Sequence, residues 1–109
     1  MERSWRAKRV IETDRADTIA DGIAVRVPIP EAVHDLQGVV DEVLLVDDET
    51  ILRAMRLVQK CEGIEPEPAG AVGLAAVLAH PSQFAGKLVA TVLCGANVTD
   101  AQRRLWYGS

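Results

Sequence analysis

The sequence reads as an α/β chain, part of a three-layer arrangement in which crossover helices flank a partial parallel sheet. Three observations predict this. Runs rich in Val and Leu at 39–46 and 87–94 are bounded by Gly, Asp or loop residues, as buried strands are. Segments with helical apolar spacing and helix start and stop signals lie between and after them. Strands and helices alternate along the chain, the order that builds a parallel sheet with crossover helices.

Taken in order, residues 1–17 are polar without a sustained apolar period and form a lead-in whose packing partner lies elsewhere. Residues 18–109 form the α/β core of a single partial domain, since 109 residues suffice for one modest core and not for two ordinary domains. The run 18–27 is a short strand with Gly22 at a bend or close backbone approach. Pro28 and Pro30 close it, and Pro30 opens a short helix through Gln37 that Gly38 ends. After the 39–46 strand, Asp47 or Asp48 caps a helix over 49–61, where Ile51, Leu52, Met55 and Val58 share one buried face and Gly63 is the stop. The nearly uncharged 69–80 stretch is a close-packing helix that Pro81 stops. The 87–94 strand runs into the loop 94–97, and Thr99 or Asp100 caps a last helix through Leu105.

Composition narrows the class. Hydrophobic residues make up 49% and charged residues 26%, an ordinary globular balance. The longest apolar stretches fall short of the roughly 20 residues that span a bilayer, so no membrane span is expected. The charged N-terminus has no apolar signal core behind it, which points to the cytoplasm. A net charge of -4 argues against nucleic acid as a partner, and the mixed-charge cluster Arg3, Arg6, Lys8, Arg9 and Arg15 reads as a solvated segment. Cys61 and Cys94 are reduced thiols, too few for a disulfide framework and spaced like no metal site.

Single residues carry little chemistry by themselves. Cys94 stands at a strand end where ligands gather in open α/β sheets, but no His is placed to make it a nucleophile. Glu67 precedes a helix, where a carboxylate suits the dipole, and Asp21 beside Gly22 is a turn former or a pocket-lining group. His34 and His80 have no metal-ligand spacing, the acidic runs lack a calcium-loop pattern, and neither GxGxxG nor GxxxxGK[ST] occurs.

Three stretches in order are more specific: Asp17-Thr18-Ile19-Ala20-Asp21-Gly22-Ile23-Ala24-Val25, then Glu67-Pro68-Ala69-Gly70-Ala71, then Leu93-Cys94-Gly95-Ala96-Asn97-Val98. Together they resemble the threonine/serine dehydratase branch of the fold-type-II pyridoxal-phosphate enzymes, related to tryptophan synthase β chains. The resemblance covers the chain from about Ser4 onward and implies the C-terminal portion of that family's large domain. It implies that Cys94 contacts the pyridine nitrogen of pyridoxal phosphate, that Gly95 and Asn97 shape the loop, that Glu67 lies by the same ring edge, and that Gly22 belongs to the stretch along the cofactor. A neutral thiol there leaves the ring a milder electron sink than a carboxylate would, which suits β-elimination. Ala96 stands where the family usually has a second glycine, and Pro66 where it has an apolar strand residue.

The resemblance also says what is missing. The family's Schiff-base lysine and Gly-rich phosphate loop lie in stretches this sequence does not contain, and Lys8, Lys60 and Lys87 do not stand in their place. No catalytic residue and no metal ligand is assigned. The implied function is that of a fragment of a lyase converting L-threonine or L-serine to a 2-oxo acid and ammonia, inactive alone, with a partner chain supplying the lysine domain and homo-oligomers possible. The alternative is a non-catalytic α/β binding or assembly module derived from that family.

Overall fold

The computed structural model of the chain describes residues 1–108, and every regular element among them is helical. Helices α1 (Glu2–Ala7), α2 (Pro30–Asp35), α3 (Asp48–Glu62), α4 (Pro68–Ala79), α5 (Pro81–Phe84) and α6 (Asp100–Tyr107) are joined by irregular segments and one 3-10 turn, Asp21–Ile23. The chain divides into two compact units, residues 1–18 with 23–45 and residues 19–22 with 46–109.

This overturns the expected three-layer partial parallel sheet and, with it, the implied C-terminal portion of a fold-type-II large domain: the described residues contain no strand. The physical reason lies in pairing. A strand is held by hydrogen bonds to a neighbour, and apolar composition alone does not supply one. Residues 88–94 make no backbone hydrogen bond among the described residues. The start of the 39–46 run is spent locally, since the amides of Val39 and Val40 both donate to the Leu36 carbonyl. In the 18–27 run the 3-10 turn interrupts the extended path at Asp21.

The helices in the second unit begin and end where side-chain chemistry dictates. The Asp47 carboxylate accepts from the Thr50 amide at 2.7 Å and opens α3, and Gly63 closes it at φ +68°. That capping hydrogen bond is also the chief reason the Asp47 carboxyl is held below its ordinary range. Helix α6 opens with a reciprocal capping box between Thr99 and Gln102 and runs to Tyr107, two residues beyond the expected end. Pro81, expected only as a stop, also starts α5.

Core packing follows from these faces. Ile51, Ala54, Met55 and Val58 of α3 are buried, with Ala71 and Ala75 of α4 and Trp106 of α6 beside them. Full burial of Ile51 and Met55 contributes about 1.5–3 kcal/mol each. The small residues of α4 let it lie close against α3, the largest contact between elements.

The first unit has an element where the sequence promised none. Ser4 of α1 is fully buried and brackets Ile11, accepting from its amide at 2.8 Å and donating to its carbonyl at 3.1 Å. Gln37, following α2, donates to the Trp5 carbonyl at 3.1 Å. The 1–17 segment is therefore anchored by polar bonds that an apolar period does not reveal.

Candidate functional site

Glu67 is the N-cap of α4, and the segment before it is held from several sides. Pro66 is fully buried, and its carbonyl accepts a hydrogen bond from the Tyr107 hydroxyl. Glu65 takes Arg103 Nε on one carboxylate oxygen at 2.6 Å and Gln59 Nε2 on the other at 2.9 Å. The Arg103 hydrogen bond holds the Glu65 carboxyl below its usual range, with Gln59 adding to it. Burial, helped by the negative charge of Glu65, pushes the Tyr107 phenol up to about 12.

The 94–97 loop closes on this support. The Glu67 amide donates to the Gly95 carbonyl at 3.0 Å, and the Glu67 carbonyl accepts from the Gly70 amide at the same distance. Two glycines make the approach possible. A Cβ on Gly95 would stand 2.7 Å from the Glu67 carboxyl carbon, and one on Gly70 would stand 2.9 Å from the Gly95 carbonyl oxygen. Further along α4, Gly73 receives the Thr91 side chain, while Gly22 lies against Ala69, where a Cβ would be 3.1 Å from its methyl.

Of the residues singled out from sequence, Glu67 and Gly95 meet directly, the Cys94 amide nitrogen approaches Gly70, and Gly22 joins the same helix N-terminus through Ala69. Cys94 is a free, exposed thiol and Asn97 is exposed. Asp21 is exposed in its 3-10 turn. Ala96 has no positive φ, so a Cβ there carries no backbone strain. Sequence reasoning missed Tyr107, Arg103, Gln59 and Glu65, which fix the Glu67 turn. The i, i+4 placement of Arg103 and Tyr107 on α6 was the available signal.

The Glu67 carboxylate lies against Gly95, and the Cys94 thiol and the Asn97 amide on either side of that glycine in sequence are exposed and can each hydrogen-bond outward. Lys60 and Lys87 are both exposed, on α3 and at the head of the 87–94 segment, while the clasp itself holds no lysine. The clasp therefore holds neither a lysine nor a Gly-rich phosphate cradle. Among the described residues there is no group of three or more His, Cys, Asp or Glu that could hold a metal ion, and no helix long and apolar enough to cross a membrane.

The clasp joins three separated sequence stretches, Gly22, Glu67–Gly70 and Cys94–Gly95, on one helix N-terminus. The family profile described as "Pyridoxal-phosphate dependent enzyme" matches residues 1–95, and the chain belongs to that family. It is homologous to the threonine dehydratases within it. The β-hydroxyaspartate dehydratase of Paracoccus denitrificans is 37% identical over 105 residues, covering 95% of this chain and 32% of that protein. The L-threonine ammonia-lyase of Thermotoga maritima is 38% identical over 96 residues, covering 88% of this chain and 23% of that protein. Among solved structures, a threonine deaminase from T.th. superposes with a TM-score of 0.82 at 33% identity, over 90% of this chain and 36% of that one. Maize serine racemase gives 0.76 at 30% identity, over 98% and 33%. The chain thus spans about a third or less of these relatives' lengths. It shares their sequence and backbone path, while the regular structure of its described residues is helical.

Proposed function

We propose that this chain supplies one wall of a pyridoxal-phosphate site in a threonine/serine dehydratase-like lyase, and is inactive by itself. The observation that carries the reading is the clasp of Glu67, Gly70 and Gly95, which gathers family-matched stretches onto one helix N-terminus. In this reading Cys94 faces the pyridine nitrogen, Asn97 and Gly95 shape the loop at the ring edge, Glu67 flanks it, and Gly22 keeps the neighbouring stretch close. The cofactor, when bound, supplies the electron sink for loss of water and ammonia from L-threonine or L-serine. The covalent lysine comes from sequence outside this chain, on a partner polypeptide or on the rest of a longer one.

The test is complementation. The chain is assayed for 2-oxo acid and ammonia release from L-threonine, L-serine and β-hydroxyaspartate with pyridoxal phosphate, alone and with a polypeptide covering the N-terminal two thirds of a relative. No turnover alone and turnover on mixing is the expected result, with Cys94→Ala lowering the mixed activity. Turnover by the chain alone overturns the reading, as does a mixture that assembles and stays inactive.

A further inference from the structure

On the side of α3 away from the buried face, Arg53, Arg56, Leu57 and Lys60 follow one another at i, i+3, i+4 and i+7, the spacing of one helical face. With Leu78 of α4 they line a surface cleft of about 340 Å³. Three cations and two leucines converge there, and no carboxylate lines the cleft.

The absence of a carboxylate is unexpected from the charge balance. The chain has 16 acidic and 12 basic residues, and three of its arginines are ion-paired, Arg6 with Glu2 and Glu42, Arg15 with Asp17, and Arg103 with Glu65 and Asp100, while Arg3, Arg9, Arg26 and Arg104 form no ion pair among the described residues. Among the described residues, Arg53, Arg56 and Lys60 form no ion pair. Arg53 adds a lesser contribution to holding the Asp47 carboxyl low, but that carboxylate is committed to the Thr50 amide.

Arg56 is fixed in place. Its Nε donates to the Trp106 carbonyl at 2.8 Å, near the C-terminal end of α6, so part of the entropy of ordering this side chain is already spent in the free protein. Leu57 is 39% exposed and stands between the cations, giving the cleft an apolar floor beside its charges. A concave site with an apolar lining and a few convergent polar groups is how small-molecule sites are built.

We infer that this cleft between α3 and α4 binds a small organic anion, with a carboxylate or phosphate head on Arg53, Arg56 and Lys60 and a short apolar tail on Leu57 and Leu78. It lies on α3 and α4 residues separate from the Glu67–Gly95 clasp and does not depend on the function proposed for that clasp.

The experiment is a titration of the isotopically labelled full chain, followed by amide and methyl NMR, with hexanoate and hexyl phosphate as probes and hexanol and hexylamine as controls. Both anions should give saturable shifts at Leu57, Leu78 and the three cations, with dissociation constants of about 1 mM. Hexanol and hexylamine should not saturate over the same range. Arg53→Gln with Lys60→Gln removes two exposed cations whose side chains make no hydrogen bond among the described residues, and should weaken both anions roughly tenfold without altering shifts elsewhere. Leu57→Ser should weaken hexanoate while leaving the fold intact. Equal binding of hexanol, unaltered affinity in the double variant, or no saturable shift at the cleft each overturns the site; tighter binding of hexyl phosphate than of hexanoate identifies the dianion as the preferred head.

Discussion

Tyr107 and Glu67 share no hydrogen bond among the described residues, yet the first braces the turn that positions the second. The Tyr107 hydroxyl holds the Pro66 carbonyl, and the next amide in the chain, that of Glu67, donates to Gly95 at 3.0 Å. Removing the hydroxyl should loosen both. Tyr107→Phe leaves the fully buried Pro66 without its hydroxyl partner, and is expected to cost about 0.5–1.5 kcal/mol in urea unfolding. Hydrogen exchange at the Glu67 amide should quicken in the same variant, and unchanged exchange would break the proposed link.

The same phenol gives an alkaline limit. Its folded pKa of about 12 lies above the value near 10 expected of an unfolded tyrosine, so the folded state favours the neutral form. That contribution is fully present below about pH 10 and is lost as pH rises toward 12. Stability of the wild-type chain should fall over this window, measured by thermal melting, and Tyr107→Phe should flatten the fall.

At the acid end Glu65 acts with the opposite sign. Arg103 and Gln59 hold its carboxyl below the ordinary range, so its contribution is present above that range and disappears as pH drops through the lowered folded value. Arg103→Gln should make the melting temperature less sensitive to pH below about 4.5. An identical acid limb in wild type and variant would show that this pair does not couple to folding.

Gly95→Ala addresses the clasp itself. The added Cβ meets the Glu67 carboxylate, and either the loop or the side chain must move. Overpacking of this sort is expected to destabilise by about 1–3 kcal/mol, or less if the carboxylate swings clear. Alkylation of the exposed Cys94 thiol, one residue away, should change rate in step with the loop displacement.

Leu88 is completely exposed and Val92 is 77% exposed, within a segment whose backbone has no partner among the described residues. Such a surface favours association. Replacing both residues with Lys should reduce concentration-dependent self-association in sedimentation, with the α3–α4 core unaffected. A wild-type chain that stays monomeric at high concentration would contradict the expectation.

Helices α2, α3, α4 and α6 were legible because their signals are local, while α1 and α5 were not expected. Asp47, Gly63, Pro30 and Thr99 act within one turn of themselves, and each marks a boundary the structure keeps to within a residue or so. The strands expected at 39–46 and 87–94 were misread because Val and Leu content reports burial preference, while a strand exists only with a hydrogen-bonded neighbour. Order and type of the Glu67 and Cys94–Asn97 stretches could be read from the sequence. The bracing of Pro66, next to Glu67, by Tyr107 41 positions away could not, since a hydroxyl-to-carbonyl contact leaves no periodic trace.

Helix α4 is occupied on two sides at once. Ala71 and Ala75 are in the core with α3, while Gly70 and Gly73 admit the Gly95 backbone and the Thr91 side chain. A small rotation or slide of this rod would relieve one side only by crowding the other. α4 is thus wedged between α3 and the 91–95 loop, so a substitution that shifts α3 against it is expected to disturb the loop as well.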